Sequence, residues 1–446
     1  MKKIVSLLLM LAMVLSFAGV AETTEARTDT LVYATSTFGE KFSPFFTTVA
    51  YDTELTEMVF TYLLPSDRGG NVLQNSIEGE TVNYNGTDYT YYGLANLDIV
   101  MNDDSTVDYN ITLRDDVVFS DGTPMTIDDV IFDMYVLSDP TYDGASTFYT
   151  LPIEGMDEYY KSMTALGTLI AEAGRDNTDF SKWDEATQTA FWADVDAAGE
   201  KFAQEIVDYV VANYADDNAS DIEATADEIR ADASLAVKFG MTEWGYGDAW
   251  TEGATAADYW KAIEANFGTI FEASDTESAG SALTDFIDDY TAKYGYGVAT
   301  GDTVKSISGI KKTGDYSMTI HTTEFSTMTI YQLGILVAPL HYYGDPELYN
   351  GEDSFGFVKG DLSGVKSKTR EPMGSGAYLF KGYENGVVTL EANPLYFEGE
   401  PATKNLLMQT AIDSDYVPGI VTGTFDIALP SISADTVAAI QDANSN

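Results

Sequence analysis

The sequence predicts a mixed α/β protein interrupted by a long, acidic, all-helical block. Three observations predict it. Strand-like period-2 alternation occurs on both sides of the block, in Tyr109-x-Ile111-x-Leu113 and in Tyr316–His321 (YSMTIH). A strand–turn–helix unit fills Asp108–Pro140. Between residues 156 and 300, helix-start signals take over, with 30 Asp/Glu against 8 Lys/Arg, a net of −22.

In chain order, residues 1–21 read as a signal peptide. Lys2 and Lys3 precede an apolar stretch, Ile4–Val14, that is short for a membrane span, and small residues follow around Ala18 and Ala21. Thr30–Ala34 (TLVYA) reads as a core strand and Phe42–Phe46 as a loop. Tyr51–Leu64 reads as a helix with Leu55, Val59, Phe60 and Leu63 on one face. Gly79–Tyr92 reads as a polar hairpin, because Asn85-Gly86 suits a type I′ turn. In Asp108–Pro140 the strand runs into Ser120-Asp121-Gly122-Thr123-Pro124, a turn punctuated by Gly and Pro. Thr126 with Asp129 three residues on has the capping-box spacing that opens a helix through Tyr135.

The 156–300 block carries three further capping spacings: Ser181/Asp184, Ser220/Glu223 and Thr255/Asp258. Phe191, Val195, Phe202, Ile206, Tyr209 and Val210 fall at helical spacing, and the block reads as four or five helices. Strand character returns from Val304. Leu333–Leu340 reads as an apolar strand leading to a loop at His341, and Ala434–Gln441 begins a helix.

Composition bounds the function. The formal charge is −49 over 446 residues, which argues against nucleic acid and anionic membrane surfaces, since both are bound through basic patches. With 45% hydrophobic and 13% aromatic residues the chain is globular, and without cysteine it has no disulfide or thiol chemistry. The GxGxxG-like string at Gly374 lacks its third glycine, has Leu379 there, and leads into a strand, so phosphate cradling is rejected. Asp216, Asn218, Ser220 and Asp227 echo calcium-loop positions, but Asp221 stands where glycine is needed. With two histidines and no cysteine, zinc would depend on carboxylates. No cofactor, metal site or catalytic residue is expected, and no carboxylate pair is singled out for acid–base work.

Arg114–Pro124 (RDDVVFSDGTP) with its flanking strand and helix, Gly374–Phe397 (GSGAYLFKGYENGVVTLEANPLYF) and Thr424–Ala428 (TFDIA) occur in this order. In these motifs the chain resembles the family 5 extracellular solute-binding proteins, the oligopeptide- and dipeptide-binding components of ABC transporters. The resemblance covers residues 30–155 and 300–440. It implies a two-lobed, periplasmic binding protein-like fold of the cluster C type, here with a large helical insertion and most of the C-terminal lobe missing. The domains would be a signal peptide (1–21), domain I (22–50 plus 301–430), domain II (51–155), the insertion (156–300), and the start of a third domain (431–446). The chain is therefore expected to be a fragment that binds peptide poorly by itself.

The implied function is capture of a di- or oligopeptide in an interlobe cleft for delivery to the permease, by a monomer with no enzymatic activity. The implied ligand-binding residues are Thr48, Val49, Ala50 and Tyr51, past Pro44 where the family presents a backbone edge, and Phe148 and Tyr149, where its second lobe sends aromatics toward the cleft. Family members often carry a lipid-bearing cysteine after the signal. Val20 stands there, so an exported, unanchored protein, periplasmic or extracellular, is expected. The alternatives are the same receptor with a non-peptide solute (a nickel chelate, haem, an opine or an oligosaccharide) and a secreted structural or adhesive protein working through the insertion. A secreted hydrolase has no motif in its favour.

Overall fold

The computed structural model describes residues 29–444. The expected signal peptide lies outside the described residues.

The fold is mixed α/β, as the sequence predicts. A five-stranded sheet has the order Tyr378–Glu384, Val387–Ala392, Asn405–Thr410, Thr30–Thr35, Ile427–Ala428. Thr30–Thr35 runs parallel to Asn405–Thr410, from Thr30↔Asn405 to Thr35↔Thr410. Parallel neighbours need a crossover, and here nearly the whole chain lies between them. A second, antiparallel sheet has the order Ala95–Met101, Val107–Leu113, Ser317–Thr322, Ile310–Gly314.

Residues 310–322, which lie within the expected domain I (22–50 plus 301–430), join this second sheet, where Ser317–Thr322 pairs with Val107–Leu113. Thr319 donates to Asn110 at 2.8 Å and His321 Nδ1 lies 2.7 Å from Asp108, so cross-strand polar pairs fix the register. Returning from the insertion, the chain passes through the sheet of residues 95–113 before it joins the first.

Helix Ile127–Leu137 packs in the main core with ten of its eleven residues buried. Thr126 and Asp129 form the predicted reciprocal cap. Two aspartates on this helix then grip the segment after Leu336–Val337: Asp129 accepts from the Leu340 amide at 2.9 Å and Asp133 from the Ala338 amide at 2.8 Å. The predicted strand Leu333–Leu340 is thereby cut to the two residues Leu336–Val337, and His341 lies in the single helical turn Leu340–Tyr343.

Asp133 is fully buried, its second oxygen has no partner among the described residues, and burial raises its pKa well above the usual carboxylate range. A carboxyl whose native pKa is raised contributes stability fully below its unfolded pKa of about 3.9 and loses it as pH rises. Asp133→Asn keeps the acceptor and removes the titration. Thermal melts between pH 4 and pH 8 are expected to show the variant gaining on the wild type as pH rises, reaching about 1–2 kcal/mol near pH 8. An equal pH slope in both proteins would refute it.

The helix predicted over Tyr51–Leu64 spans Ala50–Val59, and Thr61–Tyr62 forms a short strand against Leu336–Val337. The Gly374-Ser375-Gly376 segment stops it. The Gly376 amide donates to the Val59 carbonyl at 2.8 Å, and a Cβ on Gly376 would lie 2.5 Å from the Met58 carbonyl oxygen. Only glycine allows that approach. The Ser120 amide of the SDGTP turn donates to the Gly374 carbonyl at 3.0 Å, so the two longest motifs touch. The predicted hairpin joins Glu80–Tyr84 to Thr87–Tyr91, with Asn85 and Gly86 both at positive φ.

The 156–300 block holds eight α-helices among the described residues, dominated by the 34-residue Glu185–Asn218. Its hydrophobic core, running from Leu166 to Tyr294, is separate from the main one. Trp260 is seated against Gly199, where any Cβ would come within 2.3 Å of the indole. That contact offsets the ~1 kcal/mol helix penalty of an interior glycine. Of the predicted stripe, only Tyr209 is exposed, standing at the edge against Trp244. The Thr255/Asp258 cap is present. The long helix is capped by Asp184 rather than Ser181, and the Ser220 box is replaced by Thr225/Glu228. The antiparallel ribbon Met163–Ala165/Gly297–Ala299 joins the block to the main body.

Candidate functional site

The site is built on the chain between Thr30–Thr35 and helix Ala50–Val59. Asp52, in the first turn of that helix, is fully buried and accepts from the amides of Gly39 at 3.0 Å and Lys41 at 2.9 Å. Burial raises its pKa, opposed by these amide bonds. Phe42, Phe45 and Phe46 anchor the next turn in the main core. The Tyr142 hydroxyl donates to the Phe45 carbonyl at 2.6 Å, and burial pushes that phenol's pKa up to about 12.

Beyond this anchored turn the chain is free. The backbone N–H and C=O groups of Thr48 make no hydrogen bond among the described residues. Such groups must go to water or to a ligand. Thr48 borders a cleft of ≈ 740 Å³. The main body supplies one wall through Lys41, Phe46, Thr48, Tyr142 and Lys366, and the helical block supplies the other through Phe271, Asp275, Asp285 and Tyr290.

Charge in the cleft is balanced, unlike the chain as a whole. Lys366 pairs with Asp143 at 2.7 Å, Lys41 with Asp285 across the two walls at 3.7 Å, and Lys161 with Asp157 just outside. Burial raises the Tyr290 phenol pKa, and Asp143 adds to the shift. A mixed polar and aromatic cleft with paired charges and a free backbone edge can hold a small polar solute by main-chain hydrogen bonds.

The expected site residues are only partly gathered here. Thr48 lines the cleft. Val49 is the extended N-cap residue of the helix, and its carbonyl accepts from the Asp52 and Thr53 amides. Ala50 is exposed in the first helical turn and Tyr51 is half-buried beside it. Tyr149 stacks on Tyr160, a cleft residue, with ring centroids 4.4 Å apart. Phe148 is 0% exposed, packs in the main core and does not line the ≈ 740 Å³ cleft. The helical wall was missed, because no local pattern in residues 271–290 says which loop they face.

A second cleft of ≈ 630 Å³ lies beside the edge strand Tyr378–Glu384, where Arg370 pairs with Glu40 at 2.7 Å. Among the described residues no group of three or more His, Asp or Glu side chains could hold a metal ion, and no helix is long and apolar enough to cross a membrane.

No protein-family model matches the chain, and no curated protein matches it. Solved structures do. The oligopeptide-binding protein AppA from Bacillus subtilis, in complex with a nonapeptide, is 14% identical, with 92% of this chain and 45% of that one covered and a TM-score of 0.42. Haemophilus influenzae OppA, in complex with RPPGFSPFR, is 13% identical, with 93% and 48% covered and a TM-score of 0.42. NikZ from Campylobacter jejuni, in complex with Ni(L-His), is 14% identical, with 92% and 45% covered and a TM-score of 0.41. This chain spans just under half the length of these structures.

Proposed function

We propose that the protein is a solute-binding component of an ABC importer that captures a small peptide in the ≈ 740 Å³ cleft. The observation that carries this reading is the backbone of Thr48, exposed at the cleft's edge with no hydrogen bond among the described residues. A free main-chain edge receives an extended peptide as an added strand, which gives affinity with little regard to side chains. The three motifs that resemble the family 5 solute-binding proteins support the same reading, and the family supplies the remaining parts: export, a membrane permease as partner, and action without catalysis. On this reading Thr48 offers the ligand its backbone, Val49, Ala50 and Tyr51 flank it at the start of the helix, and Tyr149 supports the cleft through Tyr160.

The test uses Thr48→Pro. Proline deletes one N–H that has no partner among the described residues, and a melting temperature equal to the wild type's checks that the fixed φ is accommodated. Calorimetry with tri-L-alanine, run at high peptide concentration because weak binding is expected of this chain, should show about fivefold weaker binding by the variant, the worth of one hydrogen bond of about 1 kcal/mol. Unchanged affinity would remove this edge from the site. Native mass spectrometry of gently purified protein checks the ligand class: a peptide-sized adduct supports the reading, and a metal chelate, haem or sugar adduct replaces it.

A further inference from the structure

We propose that the helical block is a hinged cover over the ≈ 740 Å³ cleft, turning on its two-stranded ribbon and latched by the ion pair Lys41–Asp285. Such a cover needs only the two walls and the ribbon, so it stands whatever solute the cleft takes. The moving part is the helical insertion, not a lobe built on either sheet.

The hinge is the ribbon. The chain enters the block along Met163–Ala165 and leaves it along Gly297–Ala299, paired side by side, so both crossings share one line. At its base Gly297 rests on Gly360, where a Cβ on Gly297 would lie 2.9 Å from the Gly360 Cα. No side chain stands between these two backbones to obstruct a turn. Beyond the ribbon the block has its own core, and it faces the body across a cleft instead of a packed apolar interface. Units joined in this way move relative to one another by default.

The latch is prepared on both sides. Among the described residues Lys41–Asp285 is the one ion pair that spans the cleft. Lys41 sits in a fixed turn: its amide donates to the buried Asp52, and its carbonyl accepts from the Ser43 amide at 2.9 Å. Asp285 Oδ2 accepts from the Ala282 amide at 2.9 Å, which leaves Oδ1 to face Lys41 at 3.7 Å. A charged hydrogen bond forms at about 2.8 Å, so a small rotation of the block converts a loose pair into a bonded one. Both side chains remain open to water, which keeps the latch weak enough to release.

The chain has no cysteine, so spin labels can be placed singly. Pulsed electron paramagnetic resonance on the full chain uses two label pairs, Glu200→Cys with Lys311→Cys and Glu200→Cys with Glu384→Cys, all at exposed positions. Two separations are expected in at least one pair. Lys41→Ala or Asp285→Ala should each shift their ratio about two- to fivefold in the same direction, the worth of one exposed ion pair, and the double alanine variant should move it no further. Raising salt to about 1 M should shift the unmutated protein the same way and leave the alanine variants unchanged. One narrow separation in both pairs would show a rigid joint, and two separations indifferent to Lys41 and Asp285 would strip the pair of its role. Either result overturns the cover. Tri-L-alanine binding is measured separately, so the receptor reading stands or falls on its own.

Discussion

Trp260→Ala is expected to unfold the helical block while the β-sheet body stays folded, at a cost of about 3–5 kcal/mol to the block. Trp260 is 1% exposed, and it meets Phe202 edge to face at 5.7 Å besides filling the groove over Gly199. The cavity left by its removal cannot close easily, because two helices would have to approach at a glycine already in contact. The loss stays local because the block has its own core and is joined to the body by a two-stranded ribbon. Calorimetric melting should therefore show the block's transition shift to lower temperature while the other stays put, and limited proteolysis should cut within 166–294 first. A single transition that moves as one would show that the two cores unfold together.

Legibility followed the range of the interactions. The Asn85-Gly86 turn, the Thr126/Asp129 cap and the Thr255/Asp258 cap are decided within four residues, and the sequence announces each of them. Ser181/Asp184 and Ser220/Glu223 misled because a chain with 72 acids offers that spacing by chance. There, the helix begins where the apolar stripe demands: at Asp184, which accepts from the Thr187 amide. Pairing was legible only in part. The alternation of Ser317–Thr322 marks it as a strand, but its partner lies more than 200 residues away and is chosen by Asn110 and Asp108. The site suffers from the same limit. Thr48, which the family resemblance implies, borders the cleft, whereas Asp275 reaches it only through the packing of the whole block. Phe148 shows the same limit, since an aromatic after a turn looks the same in sequence whether it ends in a cleft or, as here, in the core.

Lys359→Met is expected to loosen the joint between block and body, at a cost of about 3 kcal/mol. The Lys359 ammonium donates to three oxygens: the Tyr159 carbonyl at 2.7 Å, Ser162 Oγ at 2.6 Å and the Val304 carbonyl at 2.6 Å. Residues 159 and 162 lie where the chain enters the block, and 304 where it has come back. One side chain thus ties both ends together beside the ribbon, and the next residue, Gly360, donates its amide to the buried Asp139 at 2.8 Å. Methionine fills the same space over the Tyr159 ring but leaves three acceptors short of a donor, each worth about 1 kcal/mol. Relief of the buried ammonium's desolvation offsets part of the larger worth of charge-assisted bonds, which keeps the expected loss at about 3 kcal/mol.

The pH dependence separates a charged latch from mere packing. Burial pushes the Lys359 pKa down to about 8, against the opposing attraction of Asp139. The unfolded chain holds this proton up to about pH 10.4. Between those values the unfolded state binds more protons than the native state, so this group makes stability rise with pH from about 8 to 10. Deprotonation also leaves the amine two donors for three acceptors, which weakens the latch locally while the protein as a whole gains. Denaturant titrations at pH 7.5 and 9.5 should show the wild type gaining relative to Lys359→Met, and hydrogen exchange at residues 163–165 and 297–299 should be faster in the variant at both pH values. Parallel pH profiles with unchanged ribbon exchange would reduce Lys359 to a space-filling residue.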